Sequence, residues 1–377
     1  MQSYPALLLT TKAIIAIMSL SVGIVGLPNV GKSTLFNALL QRQAALAANY
    51  PFATIEPNVG VVPVPDNRLP KLAEVVKTQK IVPATVEFYD IAGLVKGAST
   101  GAGLGNKFLA HIRQTNVIAH VVRVFTDENI LREGSVNPAS DYQIVETELQ
   151  LADLSTLEKQ PEPRGQKDPE LMKRWDRVQK WKLLLDAGHS LRDALVDEDD
   201  FLIAKELALL TAKPQLIVAN ASEDELGKAE SIVTKLAREI AVDPVQVVVI
   251  SAKLESELAE VDAEERDSFL LEYGQQQTGL VAFIRRAYET LGLQSFYTAG
   301  EKEARAWTIH TGMTAQEAAG VIHTDFSKKF ISAQVMNYDD FVRVEGWKAG
   351  REQGLVRQEG RGYIMRPDDV VEFMIGR

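Results

Sequence analysis

Gly26-Leu27-Pro28-Asn29-Val30-Gly31-Lys32-Ser33-Thr34 sets two glycines five positions apart, ahead of a lysine and two hydroxyls. This G-x-x-x-x-G-K-S spacing is that of a P-loop. Its glycines let the backbone turn sharply and aim N–H groups at phosphate oxygens. A helix starting at Lys32 would point its positive end at the same anion. Gly26, Asn29, Val30, Gly31, Lys32, Ser33 and Thr34 are therefore the expected phosphate-binding residues. Lys32 supplies charge to the β/γ-phosphates, and the Ser33 hydroxyl is placed to ligate Mg²⁺.

Three further segments carry compatible chemistry. Ala84–Tyr89 reads as a strand ending in Asp90, followed by Ile91-Ala92-Gly93. Asp90 would hold the metal's water shell, and the Gly93 N–H would sense the γ-phosphate. Asn49 to Asn58 lies where a first switch loop sits, with Thr54 as the second metal ligand. Lys96 to Asn106 carries Gly97, Gly101, Gly103 and Gly105 and reads as a mobile second switch. After the apolar strand 214–219 comes Asn220-Ala221-Ser222-Glu223, and after strand 245–250 comes Ser251-Ala252-Lys253. Guanine-binding proteins place N-K-x-D at the first of these positions, and its Asp accepts from guanine N1–H and N2–H₂. Adenine offers no such donors. With Ala221 for the Lys and Glu223 for the Asp, guanine selectivity should be lost, since a missed bidentate pair costs about 1–3 kcal/mol.

These elements must be held by a parallel sheet. The apolar run Leu20–Val25 leads directly into the glycine loop and reads as a buried central strand. Asp90 and Asn220 are 130 positions apart, too far for one helical crossover, so an insertion lies between them. Asp141 to about Ala212 has helical periodicity (Ile144, Leu149, Leu151, Leu154, Leu157), broken at Pro161–Gly165. A second arm carries Trp175, Val178, Trp181, Leu184 and Leu185. The two arms read as an antiparallel helical hairpin or coiled coil projecting from the nucleotide domain. The acidic stretch Leu254–Gly274, including Glu255, reads as a solvated helix face. His111 and His120 read as structural. The helix Leu280–Leu291 closes the nucleotide domain. Short strands such as Trp307–Ile309 and Val370–Phe373, with a helix at Ala315–Ile322 between them, then form a smaller module.

The bulk properties bound the function. The chain has 377 residues, 46% hydrophobic and 24% charged, the profile of a two- or three-domain globular protein. It has no cysteine, which excludes disulfides, thiolate metal sites and cysteine nucleophiles, and favours a cytoplasmic location. Its formal charge is −10, so nucleic-acid contact requires a local basic patch rather than bulk charge. The apolar N-terminal run is broken by Lys12, Ser19 and Ser21, and no membrane partner is expected. Residues 1–17 have no evident role, and Met18 is a natural alternative start.

The segments GLPNVGKSTLFNAL, NYPFATIEPNVGVVPVPDNRL, DIAGLVKGAS-x-GAGLGNKFL, N-x-x-E and FYTAGEKEARAWTIHTGMTAQEAAGVIHTDF resemble the YchF or Obg-like ATPase family. This is part of the Obg branch of the TRAFAC P-loop GTPases. The similarity runs from about Leu20 to Arg377. It implies an α/β protein with an OBG-type G domain at 18–140 and 213–293, a helical insertion at 141–212, and a β-grasp-like TGS domain at 294–377. It also implies a slow Mg²⁺-dependent nucleotidase that prefers ATP to GTP and associates with the ribosome, through the large subunit and rRNA, with no DNA partner. In the TGS segment Lys328, Lys329, Arg343, Arg351, Arg357 and Arg361 are the candidate rRNA contacts. Asn220, Ala221, Glu223, Ser251 and Ala252 would surround the base. Leu94 stands where related enzymes carry a water-orienting Gln, so turnover should be slow. Two routes could compensate: Asn29 could hold a K⁺ ion, or a partner could complete the site. An Obg/Drg-like GTPase, and a nucleotide-gated ribosome-binding module with incidental turnover, remain open alternatives.

Overall fold

The computed structural model describes residues 20–47, 58–91, 103–125, 137–163, 168–258, 261, 270 and 277–376. The expected dispensable segment 1–17, the Met18 start, Thr54, Gly93, Leu94 and most of both switch loops lie outside these residues. In chain order the main elements are β1 (Ser21–Val25), α1 (Lys32–Ala47), β2 (Val59–Pro63), α2 (Arg68–Val75), β3 (Ile81–Val82), β4 (Thr85–Asp90), α3 (Gly103–Gln114), β5 (Val117–Arg123), α4 (Pro138–Glu158), α5 (Pro169–Asp186) and α6 (Glu198–Glu206). They continue with β6 (Gln215–Asn220), α7 (Ala229–Glu239), β7 (Val247–Ile250), α8 (Ala252–Leu258), α9 (Gly279–Thr290), β8 (Leu293–Ala299), β9 (Ala304–His310), α10 (Ala315–Ile322), α11 (Thr324–Lys328), β10 (Phe330–Asn337), α12 (Tyr338–Arg343), α13 (Trp347–Glu352), β11 (Arg357–Glu359) and β12 (Asp369–Ile375). Among the described residues no helix is long and apolar enough to cross a membrane.

The described chain divides into two compact units, one of them Leu20–Val62 with Glu87–Ala287. Its sheet has the order β2-β4-β1-β5-β6-β7, and β4, β1, β5, β6 and β7 pair in parallel. Every residue of β1, β5 and β6 is buried, as expected where helices cover both faces of a parallel sheet. In this register Ile24 lies beside Asp90, and Arg123 beside Asn220. The strand ends carrying the chemistry therefore align along one edge of the sheet. This is the α/β P-loop architecture expected from the sequence.

The other unit combines Pro63–Val86 with Tyr288–Arg377. Its mixed sheet runs β11-β10-β12-β8-β9-β3, and α10 packs Ala315, Ala318 and Ala319 against Phe296, Ile309, Phe330 and Val371. The sequence reading placed 63–86 in the nucleotide domain, but its contacts join it to the C-terminal unit. There β3 pairs in parallel with β9, and the Ala304 N–H donates to the Lys80 carbonyl at 2.9 Å. Arg68 adds a clip. Its Nε meets Asp66 at 2.8 Å and its Nη1 meets Asp368 at 2.6 Å, while the Tyr297 hydroxyl donates to Asp66. A two-residue strand has almost no pattern of its own, so only its partners place it.

Helix α4 also differs from a purely projecting arm. Its C-terminal end does pack with α5: Leu154 and Leu157 meet Trp175, Val178, Trp181 and Leu185. Its middle, however, lies on the nucleotide sheet through Val145, Leu149 and Ala152, against Val25, Ile112 and Ile118. Between these contacts α4 buries charge. Glu146 accepts from Arg192 at 2.6 and 3.3 Å and from the Ser190 hydroxyl, while Asp153 accepts from the N–H groups of Leu210 and Thr211 at 2.8 and 2.7 Å. A buried carboxylate is tolerated only when paired in this way.

His120 faces this cluster from β5. It is 1% exposed, its Nε2 lies 3.6 Å from Glu146, and neither ring nitrogen has a hydrogen-bond partner among the described residues. Burial pushes its pKa down from 6.5 to about 4; Glu146 opposes this shift and Arg192 adds to it. Between pH 6.5 and 4 the unfolded chain therefore binds more protons at this site, and stability falls as pH falls. At pH 4.5 the loss is on the order of 2.5 kcal/mol. Asp153, raised to about 6, has the opposite slope between its ordinary value and 6. It titrates in both proteins and cancels when wild type is compared with His120→Leu. The variant is expected to lose about 2.5 kcal/mol less than wild type between pH 7.0 and 4.5 in urea unfolding. Equal losses would show that His120 is not buried neutral.

Candidate functional site

The glycine loop begins where β1 ends. Gly26 has φ 154°, and a Cβ there would lie 2.5 Å from the Val121 carbonyl oxygen. Gly31 has φ 101°, and a Cβ there would lie 2.1 Å from Nδ2 of Asn220. Both positions exclude other side chains on conformation and on space. Asn29 is exposed and also left-handed, at φ 61°. The first bond of α1 runs from the Leu35 N–H to the Gly31 carbonyl at 2.9 Å. The N–H groups before it have no partner within the helix, which makes this end favourable to an anion.

Lys32 opens α1 and is only 7% exposed. Its Nζ spans the loop to the Leu27 carbonyl oxygen at 2.7 Å. Burial pushes its pKa down to about 8, with Asp90 opposing. Ser33 and Thr34 are exposed at the start of the helix. The Ser33 hydroxyl donates to Asp90 Oδ2 at 3.3 Å, across 57 positions of sequence. The other oxygen of Asp90 is buried and has no hydrogen-bond partner among the described residues. Burial holds this carboxyl above the usual carboxylate range, although Lys32 and Ser33 pull it down. An under-satisfied carboxylate oxygen beside a hydroxyl is an all-oxygen donor set suited to a hard divalent cation.

Asn220 braces the site rather than standing open. It ends β6 and is 6% exposed. Its Nδ2 donates to the Val30 carbonyl at 2.9 Å, and its Oδ1 accepts from the Ala252 N–H at 3.0 Å. One amide thus links the glycine loop to the loop after β7. Ala221 and Ser251 are buried beside it, and the Ala221 N–H donates to the Ile250 carbonyl at 2.8 Å. Glu223 opens a 3-10 helix (Glu223–Lys228) and pairs with Lys253 at 3.2 Å. Lys253 is in turn 3.7 Å from Glu257.

The structure therefore brings together Gly26, Asn29–Thr34, Asp90, Asn220–Glu223 and Ser251–Ala252; Thr54 and Gly93 lie outside the described residues. From the sequence, Lys253 belongs to the Ser251-Ala252-Lys253 loop expected to line the base and ribose; its ion pair with Glu223 is a finding of the structure, and Glu255 was misplaced. Glu255 was expected on a solvated face but is 6% exposed. The signal was its phase: Leu254, Glu255 and Leu258 fall on one stripe of α8, and all are buried. His111 is exposed on α3.

Comparison with known proteins agrees with this geometry. A family model described as "50S ribosome-binding GTPase" matches residues 21–161, and the model YchF-GTPase_C, described as a protein of unknown function, matches residues 293–376. The chain is 47% identical over 363 residues to "Ribosome-binding ATPase YchF" of Bacillus subtilis, covering 94% of this chain and 99% of that one. It is 47% identical over 364 residues to the protein of the same name from Escherichia coli O157:H7, covering 95% and 99%. Among solved structures, it is similar to the "YchF GTPase" of Schizosaccharomyces pombe, with a TM-score of 0.82 and 35% identity, covering 94% of this chain and 98% of that one.

Proposed function

The chain belongs to the YchF family, and on that premise we propose that it is a Mg²⁺-dependent nucleotidase that prefers ATP to GTP and associates with the ribosome. The single observation that carries the nucleotide reading is the joint made by Asn220. It fixes the phosphate loop and the base loop to each other with two hydrogen bonds. Gly26 to Thr34 hold the phosphates, Ser33 and Asp90 hold the metal and its water shell, and Asn220 to Glu223 with Ser251 and Ala252 surround the base. The metal would screen charge on the phosphate oxygens. Lys32 contributes a positive charge that is already desolvated before the phosphates arrive.

The preference for ATP rests on the base loop. Ala221 is buried where guanine-binding proteins carry Lys, and the carboxylate of Glu223 is already paired with Lys253. A guanine would have to compete with that ammonium for its acceptor. Ribosome association rests on the bacterial relatives, which are named as ribosome-binding ATPases. The second reading, a GTPase, is favoured by the name "YchF GTPase" borne by the similar Schizosaccharomyces pombe protein.

Equilibrium binding of fluorescent ATP and GTP with Mg²⁺ and K⁺ separates the two. ATP should bind at least tenfold tighter, about 1.4 kcal/mol. In the double variant Ala221→Lys, Glu223→Asp the ratio should move toward GTP by at least that factor. Equal binding in wild type would put the GTPase first. Co-sedimentation with ribosomes, with and without ATP, tests the association.

A further inference from the structure

Helix α8 begins with Ala252, directly after Ser251, so whatever orients α8 orients the base loop. Three contacts do so. The Ala252 N–H donates to Asn220. The Ser256 hydroxyl donates to Gln41 of α1 at 3.3 Å. The third contact is Glu255, a carboxylate 6% exposed whose own N–H donates to the Ser251 carbonyl at 2.9 Å.

The Glu255 carboxylate is spent on the start of α9. Its Oε1 accepts from the Leu280 N–H at 3.0 Å, and Gly279 and Thr278 beside it also favour its charged form. Thr278 in turn accepts from the Val281 N–H at 3.2 Å. Two of the first-turn N–H groups of α9, those of Leu280 and Val281, are thus satisfied by one carboxylate from α8 and one local hydroxyl, and a negative charge is favoured at that end. The seat is tight: a Cβ on Gly279 would lie 2.9 Å from the Val249 carbonyl oxygen. One turn further on, Phe283 packs its ring 5.3 Å from that of Phe88. Phe88 precedes Asp90 by two positions on β4 and so shares its face of the strand. Helix α9 therefore bridges the helix that carries the base loop and the strand that carries the metal carboxylate.

We infer that Glu255 is a positioning residue for nucleotide recognition, locking Ser251–Ala252 in register through α9 while touching no ligand itself. The inference rests on the nucleotide reading above. Without the carboxylate, the buried Leu280 N–H at the start of α9 loses its acceptor, and α8 is freed to shift. The defect should be confined to the base end of the ligand, because the glycine loop keeps its own hydrogen bonds.

The test compares ATP with tripolyphosphate, which has the phosphates and lacks the base, by equilibrium binding to the full chain. Glu255→Ala should weaken ATP at least tenfold and leave tripolyphosphate within twofold. Glu255→Gln, which keeps an acceptor oxygen at the same reach, should fall between the alanine variant and wild type. If the alanine variant does not fold, the glutamine variant decides by the same ratio. Wild-type ATP affinity in the variants, or parallel loss of both ligands, would overturn the inference. Failure of the underlying reading shows in wild type alone, as tripolyphosphate binding no weaker than ATP.

Discussion

Gly31→Ala is expected to lower ATP affinity about 100-fold, or about 2.7 kcal/mol. Two costs combine. At φ 101° an L-residue carries backbone strain of order 1–3 kcal/mol. The new methyl would also stand 2.1 Å from Asn220 Nδ2, so the amide must leave. That breaks its bonds to Val30 and Ala252, each worth about 1 kcal/mol. Part of this cost falls on folding. The remainder falls on binding, because the two loops are no longer fixed to each other. Fluorescent-nucleotide titration checks it, and affinity within threefold of wild type would mean that the Gly31–Asn220 joint does not shape the site.

Asp90→Asn is expected to reduce Mg²⁺-dependent phosphate release about 100- to 1,000-fold while leaving the fold intact. The amide has the same shape and can still meet the Ser33 hydroxyl. It lacks the charge that would hold the metal's water shell. Because burial already raises the Asp90 carboxyl, removing its charge relieves a desolvation cost, and thermal stability at pH 7 should be unchanged or higher. Phosphate release measured across a Mg²⁺ titration, with Tm alongside, tests both halves. Turnover within tenfold of wild type at the same half-saturating Mg²⁺ would remove Asp90 from the metal site.

Several features were legible in the chain because their signals are short. The glycine loop needs nine consecutive residues. The buried strands β1, β5 and β6 announce themselves as apolar runs, and α10 was readable with the bounds it has, Ala315–Ile322. The helical arms were readable in part. The apolar repeat of α4 marks a buried stripe, but it carries no label for what covers each turn. Its middle meets the nucleotide sheet and only its end meets α5.

By itself, the sequence determined the class of the fold, the phosphate loop and the residue types along its rim, because local spacing and periodicity encode them. Only the tertiary structure decided what those residues are spent on. Asn220 reads as a base contact in sequence, yet its amide joins two loops whose residues lie 190 and 32 positions away. Glu255 reads as one acid in a charged run, yet it caps a helix that starts 24 positions later, at Gly279. Residues 63–86 read as part of the nucleotide domain, yet they group with the C-terminal unit, where β3 pairs with β9. In each case the deciding term is a hydrogen bond or an ion pair between groups distant in sequence. Such pairs form because burial makes an unmatched polar group costly, and that cost exists only once the chain is folded.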